Sequence, residues 1–174
     1  MDDFATPGRP NAFGLQPSES NYVSAGKRPL SSMAPTMLFY SGSNFESKTN
    51  LGRLFMVLGS SGGPKIITSI IQVILNHAIL GIPLYEAVTH PRVHDQLLYH
   101  MAAGTGYDLS KLKLQPGKPT IEVRKSTLDA LTKRGHNMFS LDYLGTTQAV
   151  GVDLETDKLT AVSDVRKNGQ SSGY

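Results

Sequence analysis

An apolar run, a glycine pair and a helix-period segment follow one another without a break, and that succession constrains the fold more than any other feature. Leu54-Phe55-Met56-Val57-Leu58-Gly59 has the length and content of a buried strand, Gly62-Gly63-Pro64 interrupts it, and Ile66 to Leu80 resumes in a different pattern. In that second stretch the polar residues Thr68, Gln72 and Asn76 recur every four positions, a helical period, although its Ile and Val content favours strand. Pro64 suits the start of a helix and Gly81 the position just past its end, so the spacing predicts a helix over Ile66–Leu80.

Short elements surround this unit. Thr36-Met37-Leu38-Phe39-Tyr40 reads as a strand that pairs antiparallel with Leu54–Gly59. A short helix is expected over Leu84–Val88, ending near His90-Pro91. Thr120-Ile121-Glu122-Val123-Arg124 alternates as a strand does. Ser126 is placed to cap a helix over Thr127–Arg134, stopped by Gly135. Thr147–Val152 and Lys158–Val162 complete the set. That order suits a layered α+β sandwich rather than alternating βαβ units. At 174 residues the chain is read as a single domain over 1–174. Residues 5–28, dense in Pro, Gly, Asn and Ser, read as one long ordered loop, either folded over a site or a mobile end.

Composition removes several classes of function. The net charge of +3 comes from scattered Lys and Arg with acids among them, and no basic stripe with interleaved aromatics points to nucleic acid. With no cysteine, a disulfide framework, a thiol nucleophile and a thiolate zinc site are excluded. Of the five histidines only His90 and His94 share a spacing of four, and Pro91 stands between them, so no metal and no cofactor is expected. The longest apolar region is broken by polar residues and too short to span a bilayer, so no direct membrane insertion is expected of this chain.

Three groups carry candidate chemistry. Gly62 and Gly63 sit between a strand and a helix, where missing side chains and unpaired amides favour negative charge. They suit a phosphate cradle, an oxyanion hole or merely a tight turn, and the Walker spacing is absent. Ser31-Ser32, bounded by Pro29 and Pro35, lie on a rigid extended segment, where the hydroxyls can hold a carboxylate or serve only the turn. Asp2-Asp3 can bind an ammonium group or stay solvated.

Taken in order, Met1-Asp2-Asp3-Phe4, Gly26 to Thr36, Gly59-Ser60-Ser61-Gly62-Gly63-Pro64, Pro91 to Leu97 and Ser163 to Gly169 make the chain resemble the γ-glutamyltranspeptidase small subunit, over its carboxy-terminal majority. The resemblance implies an αββα sandwich of the N-terminal nucleophile hydrolase type, here incomplete at the amino terminus. It implies an enzyme that moves a γ-glutamyl group from glutathione, or from other γ-glutamyl compounds, to water or an acceptor. By similarity Asp3 holds the donor α-amino group, Ser31 and Ser32 its α-carboxylate, and the amides of Gly62 and Gly63 the oxyanion. The family's threonine nucleophile has no counterpart here, so the expectation is a fragment that is inactive alone, needs the family's large subunit, and exposes unpaired strand edges without it. A non-catalytic, light-chain-like binding or regulatory protein is the alternative, with an acylase of the same fold a weaker third. The resemblance also carries the extracellular face or the vacuole as places where the complete enzyme works. It stands or falls on whether the three groups meet in space.

Overall fold

The computed structural model describes residues 4–41, 51–96, 104–108, 121–141, 144–167 and 169–173. Its main layer is a four-stranded antiparallel sheet in the order β1-β2-β6-β7, built from β1 (Thr36–Ser41), β2 (Leu51–Ser61), β6 (Thr146–Val152) and β7 (Leu159–Val162). The expected pairing of the first two strands holds, and β2 is longer than its apolar run because Ser60 and Ser61 continue the ladder against Thr147 and Thr146.

Register sorts the two faces of this sheet. Leu58 lies opposite Thr36 on one side and Ala149 on the other, and Ala149 pairs with Val162, which makes one inward row. The next row, Met37, Val57, Val150 and Ala161, points the opposite way. Against the inward rows pack α1 (Lys65–Ile74) and α2 (Leu84–Thr89), closing a core of Met56, Leu58, Ile66, Ile70, Val73, Leu84, Val88, Ala149 and Val162. Buried Ile66, Ser69, Ile70 and Val73 follow the i, i+3, i+4, i+7 spacing of a core-facing helix. Past Ile74 the helix widens into a π turn, Leu75–Ile79, and ends where Gly81 takes φ +68°, as its sequence position predicts.

The polar stripe of α1 faces a second sheet. Gln72 exchanges two hydrogen bonds with the backbone of Val93, at 2.9 and 3.0 Å, and Thr68 Oγ1 lies 2.8 Å from His94 Nδ1. These residues fasten β3 (Val93–Asp95), which is antiparallel to β4 (Thr105–Asp108); β4 is parallel to β5 (Met138–Leu141). None of these three strands is expected from the sequence.

The second sheet adds one feature to the expected α+β layering, and two local expectations are corrected. A parallel pair needs a crossover, and α3 (Lys125–Lys133) lies on the connection from β4 to β5, so one βαβ unit is built into an otherwise antiparallel architecture. Of the expected strand over 120–124, Thr120 lies outside the described residues. Residues 121–124 alternate buried and exposed as predicted but pair with no strand among the described residues: alternation records burial, and a ladder also needs a free edge. Ser126 does not cap α3 either. The helix starts one residue before it, Arg124 occupies the cap, and the Arg124 carbonyl accepts the amides of Thr127 and Leu128.

Candidate active site

Strand direction brings the serine pair and the glycine pair to the same end of the sheet. β1 opens at Thr36 opposite Leu58 while β2 runs the other way to Ser61, so residues before Thr36 pass alongside residues after Leu58. Met33, Ala34 and Pro35 on one side and Gly59, Ser60 and Ser61 on the other line one cavity of about 440 Å³, completed by Thr146, Gln148 and Lys167. Ser31 and Ser32 immediately precede that wall; Ser31 is exposed, and its Oγ accepts the Met33 amide at 3.1 Å. Gly62 and Gly63 immediately follow the opposite wall. Asp3 lies outside the described residues.

The glycine turn has a definite shape. Gly62 and Gly63 adopt φ +139° and +60°, conformations that side chains disfavour, and their carbonyls accept the amides of Lys65 and Ile66 as α1 begins. Among the described residues neither glycine amide meets an acceptor. Two adjacent N–H groups at a helix start are suited to partial negative charge on a ligand oxygen. The ring of Phe13, from the stretch that precedes β1, packs directly on Gly63. Asn11 organises that stretch by accepting the amides of Phe13 and Leu15 on its Oδ1, at 2.9 and 3.0 Å.

A cluster that imitates a catalytic triad is not one. Thr105 Oγ1 lies 2.7 Å and Asp95 Oδ2 3.2 Å from the same nitrogen, Nδ1 of His136, and Thr105 is buried. A triad histidine uses one nitrogen for the nucleophile and the other for its carboxylate.

The γ-glutamyltranspeptidase family model matches residues 1–174. The chain belongs to the γ-glutamyltranspeptidase family. It is 32% identical over 176 residues to the glutathione hydrolase proenzyme of Escherichia coli, covering all of this chain and 26% of that protein. It is 32% identical over 183 residues to glutathione hydrolase 2 of Arabidopsis thaliana, covering 100% of the chain and 28% of the relative. Among solved structures, the γ-glutamyltranspeptidase of Pseudomonas nitroreducens complexed with L-DON superposes with a TM-score of 0.74 at 33% identity, over 100% of this chain and 79% of that one. The chain spans 14–28% of the length of such curated relatives. The α+β architecture is therefore that of the family's N-terminal nucleophile hydrolase sandwich.

Beneath the site of this γ-glutamyltranspeptidase chain is a buried ionic quartet, for which the sequence reading assigned no roles. Arg92 donates to Asp164 at 2.9 Å; Arg166 donates to Asp164 at 3.0 Å and to Asp108 at 2.5 Å. All four side chains are shut off from solvent. The Arg92 guanidinium also donates to the carbonyls of Val88 and Gly145, and Asp164 accepts the amide of Thr147. The end of α2, both sheets and the strand that lines the cavity are thus tied at one point. Burial, then the neighbouring Arg166 charge, pushes the Arg92 pKa below its ordinary value. Burial works against Arg166 as well, but its hydrogen bond to Asp108 and the charges of Asp164 and Asp108 leave its pKa raised. Arg92, Asp164 and Arg166 fall in the two segments, Pro91–Leu97 and Ser163–Gly169, that carry the resemblance, while Asp108 lies in neither; no local pattern announces their pairing.

Proposed function

We propose that this chain supplies the γ-glutamyl-binding part of a glutathione hydrolase or γ-glutamyltransferase. In this reading the hydroxyls of Ser31 and Ser32 receive the α-carboxylate of the donor, Asp3 its α-ammonium group, and the amides of Gly62 and Gly63 the oxyanion of the γ-carbonyl during acyl transfer. The observation that carries it is the cavity whose two walls continue directly into the serine pair and the glycine pair. A glutamate head group presents charges that match those donors and acceptors, and oxyanion donors of this type contribute about 10²–10³ in rate.

The acyl-accepting nucleophile is the part not provided. Internal threonines such as Thr36 and Thr68 have no free amine to take up their hydroxyl proton. Turnover then depends on a threonine outside these residues and on a large subunit. The sheet row Met37, Val57, Val150 and Ala161, on the face away from α1 and α2, supports such a partner: Met37 is 65% exposed.

Titration with glutathione tests the proposal. Saturable binding without release of glutamate is expected, weakened at least about tenfold by Ser31→Ala/Ser32→Ala because charge-assisted hydrogen bonds are lost. Failure to bind, or binding indifferent to that double substitution, overturns the site. Release of glutamate by the pure chain, abolished by Gly62→Pro, overturns the dependence on an external nucleophile.

A further inference from the structure

The inward row of the main sheet changes character where it reaches the glycine turn. Along β2 it runs Met56, Leu58, Ser60, opposite Gly151, Ala149 and Thr147 of β6, because alternate residues share a face. Met56, Leu58 and Ala149 belong to the core, and the last rung is a pair of hydroxyls. Thr147 is fully buried. A valine there and an alanine at Ser60 would simply continue the apolar row, so core packing alone does not call for these two oxygens.

The hydroxyls join each other and the neighbouring backbone. Thr147 Oγ1 donates to Ser60 Oγ at 3.3 Å, and Ser60 Oγ donates in turn to the Thr146 carbonyl at 3.0 Å. The Ser60 proton is thereby committed, which makes this serine a link and not a nucleophile. The Thr147 amide donates to Asp164 Oδ2 at 2.9 Å and Arg92 donates to the Gly145 carbonyl at 3.1 Å, so residues 145–147 are anchored to the ionic quartet. This segment passes close to β2: a Cβ at Gly145 would fall 3.2 Å from the Ser61 carbonyl and 3.4 Å from Ser60 Oγ. Ser60 and Ser61 are the two residues immediately before Gly62. The chain of hydrogen bonds that starts at Asp164 therefore ends at the root of the glycine turn.

We propose that Thr147 is a positioning residue for this turn: its hydroxyl, acting through Ser60, fixes the last rungs of β2 and with them the direction in which the Gly62 and Gly63 amides point. The role rests on the γ-glutamyl reading of the cavity, in which those amides meet the oxyanion. Thr147 does not line that cavity and acts only through its neighbour. A rung that slackens tilts both amides together, and a donor turned away from its acceptor loses strength steeply.

Two amino acids with the same head group separate the turn from the rest of the site. 2-Amino-4-phosphonobutanoate carries a tetrahedral anion where the γ-oxyanion would form, and glutamine carries a neutral, planar amide there. Both are titrated by NMR into the protein in the form in which it purifies, alone or with a partner. The unaltered protein is expected to prefer the phosphonate at least about tenfold. Thr147→Val changes no charge and keeps the amide that Asp164 holds. It is expected to remove most of that preference with glutamine affinity unchanged and to move the amide resonances of Gly62 and Gly63; Thr147→Ser is expected to restore both. Ser60→Ala breaks the same contact from the other strand, is expected to act alike with no further loss in the double variant, and serves where Thr147→Val fails to fold. An intact preference with unmoved glycine amides, or an equal loss for both amino acids, overturns the role. If the unaltered protein binds neither amino acid, the γ-glutamyl reading fails, and the glycine resonances decide the positioning. It stands if they move in Thr147→Val and return in Thr147→Ser, and falls if they stay.

Discussion

The ring of Phe13 occupies the space that a side chain at Gly63 would need: a Cβ built there falls 2.4 Å from Phe13 Cε2 and 2.5 Å from Cζ. Fifty positions apart in sequence, the two residues hold the glycine turn in its left-handed shape from outside. Gly63→Ala therefore meets two penalties, the cost of φ +60° for an L-residue, about 1–2 kcal/mol, and the collision with the ring. Adding Phe13→Ala relieves only the second. Thermal melts of the two single variants and the double are expected to show a favourable coupling between the sites, with the double still below the parent. Additive losses would mean that the contact does not position the turn.

The ionic quartet and a surface pair form a matched contrast. Removing Arg92 leaves Asp164 buried with half its ion pairing gone, so Arg92→Met is expected to cost about 3–5 kcal/mol in chemical denaturation. Arg53 and Asp157 are also paired, but both side chains are more than half exposed, and Asp157→Asn is expected to cost less than about 1 kcal/mol. Similar losses in the two variants would contradict the burial argument.

Two glycines separate strain from crowding. Gly81 and Gly145 both have positive φ, +68° and +84°, yet a Cβ at Gly81 meets open space whereas one at Gly145 falls 2.5 Å from Ser69 Oγ and 3.2 Å from the Ser61 carbonyl. Gly81→Ala is expected to cost only the backbone term, about 1 kcal/mol. Gly145→Ala is expected to cost clearly more, because Ser69 is anchored at 2.8 Å to the Leu144 carbonyl and the Gly145 carbonyl accepts from Arg92. The comparison is read from denaturation midpoints at constant slope.

Legibility in the sequence followed the range of the interactions. Strands β1, β2, β6 and β7 and helices α1 and α2 declare themselves because each buries a face whose period is written in consecutive residues. Strands β3, β4 and β5 do not: they are three or four residues long, and β4 contains Gly106, where a Cβ would fall 2.4 Å from Leu141 Cδ1. Their pairing is settled by packing against Gln72 and Thr68 of α1, which in sequence look only like the polar side of a helix. Of the candidate site, the serine and glycine pairs are recognisable by residue type. Ser60, Thr146 and Gln148 reach the neighbouring cavity only through strand register, Lys167 only through the turn after β7, and Arg92 finds Asp164 across 72 positions, which no spacing rule reaches.

Asp153 opens the turn between β6 and β7 and supplies an acid-sensitive contact. Its Oδ1 accepts the amides of Thr156 at 3.0 Å and Glu155 at 2.9 Å, and these bonds, that of Thr156 foremost, hold its pKa below the ordinary 3.8. A carboxyl with a lowered folded pKa stabilises the turn fully above its unfolded value, and that contribution disappears as pH falls through the folded one. The turn is therefore indifferent to pH from neutrality down to about 5 and loosens only under stronger acid. Amide shifts of Glu155 and Thr156 followed by NMR are expected to move together below the ordinary carboxylate range and to lose that titration in Asp153→Asn, which keeps the acceptor oxygen but has no proton to gain. Movement centred at or above the ordinary value, or persisting in the asparagine variant, would assign the titration to another group.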